Sequence, residues 1–175
     1  MTFPFSFGLP MSRTTTIELH KEEMKFSAGH FTIFSATHRE NLHGHNFTVY
    51  VALTGAVVEN GLLSDYGPLK QAVISRCRAW NETFLLPGRS PYLRLEQDVR
   101  GDYLARFHDE ELRFLARDVT VLPVENVTLE ELARVFGEEL VADGAVLKSS
   151  GITRVVVKCA SGPGQWSSWE WENHG

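Results

Sequence analysis

Two short segments limit what this chain can fold into: Phe26-Ser27-Ala28-Gly29-His30 and, soon after, Leu42-His43-Gly44-His45-Asn46. Side chains alternate faces along an extended strand, so His43 and His45 emerge on one side of it. Phe26, Ala28 and His30 share a face of their own strand by the same rule. A second strand laid beside the first would bring the third imidazole to the other two, so the pattern asks for a sheet. Gly44 has no side chain to crowd an ion or the neighbouring backbone. Three histidines with no fourth protein ligand describe a catalytic zinc site with one open position rather than a closed structural one. His38 is a loop residue in this reading, and His20, His108 and His174 have no partner by spacing.

The rest of the chain divides into strands and two helices. Residues Thr14 to Phe31 are rich in β-branched types and read as a first strand, and Thr32 to Asn41 as a loop over the site. His45 to Thr54 alternates as a second strand, and Gly55 to Gly61 is a turn. Asp65 is placed to cap a helix from about Pro68 to Trp80, since proline is tolerated in a first helical turn. Pro87 to Ser90 breaks that element, and Tyr92 to Leu115 reads as a strand pair or small meander with Asp109-Glu110 near a turn. Thr128, with glutamate three residues on, predicts a capped second helix whose buried stripe is Leu129, Leu132, Ala133, Phe136 and Leu140. Asp143-Gly144 ends or bends that helix, and Ile152–Lys158 with Gln165–Trp171 closes the chain as a hairpin. This order predicts an α+β architecture with helices on one face of an antiparallel sheet.

Bulk properties exclude several functions. The 175 residues carry a formal net charge of −5, which gives no basic field for nucleic acid or an acidic membrane surface. No apolar run approaches the roughly 20 residues needed to span a bilayer. The two cysteines, Cys77 and Cys159, match no metal or redox spacing and read as reduced thiols of a cytoplasmic protein. Residues 1–15 read as a loose arm without the basic start of a leader, and Met11 could be the true start.

Taken together, FSAGH (26–30), LHGHN (42–46), GLLSDYGPLK (61–70) and VTLEELA (127–133) resemble the 6-pyruvoyltetrahydropterin synthase / 6-carboxytetrahydropterin synthase family, in the family's order and over about residues 16 to 172. The resemblance implies a tunnelling fold, a four-stranded antiparallel sheet with two helices that assembles into trimeric or hexameric rings with pockets at subunit boundaries. It also implies one zinc per subunit on His30, His43 and His45. The main classes of the family have a cysteine base shortly before the His-Gly-His pair, and none stands between residues 31 and 42 here. Arg39-Glu40-Asn41-Leu42-His43-Gly44-His45 is similar instead to the subgroup with glutamate at that place, which makes Glu40 the candidate general base. A solvated loop carboxylate paired with Arg39 or His38 is the plainer reading of the same residue.

The chain departs from the family at three places. Asn81-Glu82 stands where the family has Asp-His, so Glu82 is a second candidate proton carrier but an imidazole is gone. The family's ring-anchoring glutamate falls near Cys159, which cannot supply a bidentate carboxylate, while Thr128 and Glu130 match its Thr-x-Glu. Thr128, Glu130 and Cys159 are therefore the candidate substrate contacts. The insert from about 87 to 126 exceeds the family's minimal link and either covers the pocket or decorates its rim. The expected activity is zinc-dependent side-chain cleavage or elimination on dihydroneopterin triphosphate or a related polyhydroxylated small molecule. A 6-carboxytetrahydropterin synthase-like step is one alternative, and a non-catalytic, metal-bearing ring that binds a ligand is another.

Overall fold

A computed structural model describes residues 13–57, 59–142, 147 and 151–173. The sheet is organised by its longest strand, β5 (His43–Ala56), which is 14 residues long. Two shorter strands share one flank of it. β2 (Lys25–His30) pairs antiparallel with its first half, Phe26 opposite Phe47 and His30 opposite His43. β1 (Thr14–Leu19) pairs with its second half, Thr16 opposite Thr54. The single strand expected over Thr14–Phe31 is thus broken in two. The polar run His20-Lys21-Glu22-Glu23 turns away from the sheet, closed by Met24 N–H donating to Lys21 O at 2.9 Å. Met24 itself is completely buried. Thr14 and Thr15, expected in a loose arm, belong to β1; residues 1–12 of that arm, the Asp143-Gly144 helix end and His174 lie outside the described residues.

On its other flank β5 pairs with β11 (Ile152–Gly162), which forms the expected antiparallel hairpin with β12 (Gln165–Glu172). These rows make the four-stranded antiparallel unit. Two more strands extend it beyond β2: β6 (Thr83–Pro87) runs parallel to β2, and β10 (Val119–Leu122) runs parallel to β6.

Helices α1 (Gly67–Trp80) and α2 (Leu129–Val141) lie over one face of the sheet. The helical residues Val73, Ile74, Cys77, Trp80, Leu132, Ala133, Val135 and Phe136 are buried with Phe26, Phe47, Val49, Val51, Val155 and Val157 from the strands. Trp80 joins the two helices to the sheet, edge-on to Phe26 at 5.5 Å and to Phe136 at 4.6 Å. Leu129 and Leu140 pack against this core as the helical spacing predicts. Gly137 completes the contact, since a Cβ there would come within 1.9 Å of the Trp169 ring. The Thr128 hydroxyl caps α2, accepting from Glu131 N–H at 3.4 Å. Asp65 does not cap α1 in that sense. It accepts from Gly67 N–H at 2.9 Å, while Tyr66 occupies the cap position with no side-chain bond.

Residues 32–41 are not a plain loop but a small hairpin, β3 (Ile33–Ser35) and β4 (His38–Arg39). The insert folds as an antiparallel meander of β7 (Leu93–Gln97), β8 (Tyr103–Phe107) and β9 (Glu110–Phe114). It has a second, smaller core, in which Leu93, Ala105 and Phe107 bury against Phe31, Ile33 and Leu86. No described helix is long and apolar enough to cross a membrane.

Candidate metal centre and active site

The register of β2 on β5 brings the three histidines together. His30 lies opposite His43, Ala28 lies opposite His45, and the three rings point to the helix-covered face with centroids 4.5 to 5.3 Å apart. One ligand nitrogen from each lies within 4.8 Å of the others. Gly44 faces the opposite side of the sheet, where a Cβ would meet Ala28 O at 3.0 Å. Its missing side chain therefore serves the approach of two backbones and does not clear space for an ion.

Hydrogen bonds set which nitrogen two of the rings offer. His30 Nδ1 lies 3.0 Å from Val127 O, so a proton there donates to the carbonyl and leaves Nε2 with a free lone pair. That Nε2 is buried and has no hydrogen-bond partner among the described residues. A buried polar atom without a partner is costly, and an ion would satisfy it. His43 Nδ1 lies 2.8 Å from Asn41 O, fixing the second ring in the same way. Burial holds the His30 imidazole below its ordinary pKa, outweighing the carbonyl of Val127, and burial with the charge of His43 does the same for His45. Rings kept neutral are rings able to ligate a metal. The residues present could therefore hold a metal ion, with His30, His43 and His45 each offering one nitrogen.

Glu40 stands on the rim of the same hollow, its Oε2 3.8 Å from His43 Nε2. Across the hairpin it is tied to Thr32 twice. Thr32 N–H donates to Oε2 at 2.9 Å, and Glu40 N–H donates to Thr32 O at 2.8 Å. Burial pushes the Glu40 pKa up, but hydrogen bonds from Thr32 and the nearby His43 and His30 outweigh it, and the net displacement is downward. Its carboxylate does not pair with Arg39, whose guanidinium goes to Glu110 and to the Glu40 main-chain oxygen. Thr128 and Glu130 line the hollow from the start of α2, with Gln165 and Trp166 opposite.

Two expected site residues stand elsewhere. Cys159 is completely buried in the main core, because it shares strand parity with Val155 and Val157 and so turns inward. Burial raises its thiol pKa strongly, and it lines none of the hollow. Glu82 sits after α1 with a left-handed backbone (φ 60), in a separate depression lined with Ser27, Gly29, Gly44, His45 and Asn46. It is absent from the lining of the hollow that His30, His43 and Glu40 share. A residue that sequence reasoning passed over is Asn126. Its side chain bonds both Ile33 N–H (3.0 Å) and Ile33 O (2.8 Å), pinning the start of the Glu40 hairpin next to the carbonyl that orients His30. Its place just before the capping Thr128 was the one available signal.

Fold and site together define a class: a helix-backed antiparallel sheet with a three-histidine centre at one end of its longest strand. The chain belongs to the 6-pyruvoyl tetrahydropterin synthase family, whose sequence model matches residues 18–170, and the architecture is the tunnelling fold that the resemblance implied. A relative from Methanocaldococcus jannaschii, provisionally named 6-carboxy-5,6,7,8-tetrahydropterin synthase, is 26% identical over 143 residues, covering 81% of this chain and 86% of that protein. The solved 6-pyruvoyl tetrahydropterin synthase of Plasmodium falciparum superposes with a TM-score of 0.85 at 26% identity, covering 91% of this chain and 99% of that one. That of Plasmodium vivax gives 0.86 at 24%, covering 92% and 99%, a likeness of fold. The Plasmodium vivax protein has also been solved with a glutamate, described as its catalytic residue, replaced by alanine or cysteine.

Proposed function

We propose that this chain is a zinc-dependent lyase that cleaves the hydroxylated side chain of a dihydropterin, with 7,8-dihydroneopterin triphosphate as the first substrate to test. The observation that supports it best is Glu40, a carboxylate 3.8 Å from a ring nitrogen of the histidine cluster and held there by Thr32. Bound zinc would supply Lewis acidity, lowering the pKa of a side-chain hydroxyl in the open position. Glu40, ionised at neutral pH, takes that hydroxyl proton. A carbonyl then forms at the hydroxyl-bearing carbon, the bond to the carbon next to the ring breaks, and its electron pair passes into the conjugated ring system. Return of the proton to the ring-side carbon gives a 6-hydroxymethyl-dihydropterin and an aldehyde, so atoms and charge balance. Thr128 and Glu130 contact the substrate from α2.

The naming of the Methanocaldococcus jannaschii relative supports a second reading, a 6-carboxytetrahydropterin synthase-like reaction. Against a cysteine-dependent version of it, both cysteines of this chain are completely buried in the main core. Glu82 acts in the proposed reaction only if a neighbouring protomer brings it to the site, as ring assembly in a trimer or hexamer would. The test is zinc-loaded protein incubated with 7,8-dihydroneopterin triphosphate, its products followed by mass spectrometry. Glu40→Gln should lower turnover by about 100-fold with zinc content unchanged, the range of a general base. Full turnover in that variant removes Glu40 from the base role, and zinc lost together with activity makes it a ligand.

A further inference from the structure

One side chain ties the hairpin that bears Glu40 to the meander. Arg39, on β4, has a side chain only 13% exposed. Its Nη1–H donates to the main-chain oxygen of Glu40 at 2.7 Å. Its Nε–H donates to Glu110 Oε2 on β9 at 2.7 Å, and Nη2–H donates to the same oxygen. The guanidinium lies 5.1 Å from the Phe31 ring centroid and 5.8 Å from that of Phe107. Phe31 directly follows His30, and Phe107 belongs to the small core of the meander. Thr32 thus holds the amide and carboxylate of Glu40, while Arg39 holds the peptide that follows it.

We propose that Arg39 is a positioning residue, clamped by Glu110 and the two rings, that sets the place of the Glu40 carboxylate, so that the meander is part of the catalytic apparatus. The proposal rests on the reading of Glu40 as the base. An exposed ion pair would contribute little on its own. Here the arginine half is sheltered, lies near two aromatic rings, and uses its planar fork to hold two acceptors in a fixed geometry that the point charge of lysine does not reproduce. The β4 strand is two residues long, so its own ladder holds little. Displacement of a base by about 1 Å is enough to cost on the order of 100-fold in rate.

The experiment compares Arg39→Met, Arg39→Lys and Glu110→Gln, zinc-loaded, on 7,8-dihydroneopterin triphosphate, with zinc content and hydrogen exchange of the 38–42 peptide measured on each. Arg39→Met should lower kcat by about 30-fold and Arg39→Lys by about 10-fold, with KM within about two-fold and zinc unchanged. Glu110→Gln, on the exposed side of the clamp, should lower kcat by about three-fold and keeps the test alive if Arg39→Met does not fold. Exchange at the Glu40 amide should quicken in all three. In a Glu40→Gln background Arg39→Met should cost no more than about two-fold further, because its effect passes through the carboxylate. Wild-type kcat in Arg39→Met and Glu110→Gln, or an undiminished loss in the Glu40→Gln background, overturns the proposal. Full turnover in Glu40→Gln alone refutes the base; hydrogen exchange then decides the clamp independently, unchanged protection overturning it.

Discussion

The histidines and Glu40 open into one hollow, yet they stand on different supports. The histidines sit on β2 and β5, where strand register fixes them and a core of Phe26, Phe47, Trp80 and Phe136 backs them. Glu40 follows a two-residue strand in a short hairpin, and that hairpin rests on Asn126, on Arg39 and on the small core around Phe107. The three histidines are thereby built into the stable centre of the fold, whereas the placement of Glu40, the proposed base, depends on a peripheral element. Local opening free energies follow buried contacts, so the two halves of one site should differ in stability.

The largest effect expected falls on the sheet side. His43→Ala and His45→Ala, each made separately, should lose most of the zinc and bring turnover to background, as elemental analysis and assay will show. Undiminished zinc in both variants removes the basis for placing a metal there.

A matched pair of core truncations tests the division itself. Phe26→Ala and Phe107→Ala each delete a buried ring, a loss of about 3–5 kcal/mol at a site that cannot collapse. Phe26→Ala should lower the melting temperature of the whole fold and take zinc and turnover with it. Phe107→Ala should loosen the meander, retain zinc and lower turnover by about 10-fold, through misplacement of Glu40. If both variants lose zinc alike, sheet and meander are one cooperative unit and the comparison fails.

The smallest effect is a pH dependence confined to the sheet side. The folded pKa values of His30 and His45 lie below the ordinary 6.5. As pH falls through that value the unfolded chain takes up protons first, so their contribution to stability is present above it and lost below. The metal-free protein should therefore melt at a lower temperature at pH 5.5 than at pH 7.5. Phe107→Ala should show the same slope, because the histidines responsible are not in the meander. A melting temperature that is flat or rises on acidification contradicts the assignment.

What the sequence disclosed follows the same division. Period-two alternation at 26–30 and 43–45 was enough to place three imidazoles on one face, and Thr128 with its leucine spacing was enough to draw α2. The break between β1 and β2 was hidden, because it depends on β5 being long enough to pair with both. Position along the strand puts Cys159 near the family's ring anchor, but its parity, shared with Val155 and Val157, turns it into the core. Glu82 matched by position too, but only the crossing of α1 into β6 shows which depression it lines. Glu110 and Asn126 act on a hairpin 71 and 93 residues away in sequence, and beyond the nearness of Asn126 to Thr128 nothing local signals such a partner.

The burial of both thiols has a practical meaning. Cys77 and Cys159 have no exposed surface; burial raises the Cys77 pKa to about 12 and pushes the Cys159 thiol strongly upward. Thiolate, not thiol, reacts with peroxide and alkylating reagents. The hollow that Glu40 and the histidines share has no cysteine or methionine in its lining for an oxidant to attack. Iodoacetamide then has nothing to modify until the main core opens, and its labelling rate becomes an internal clock for global unfolding.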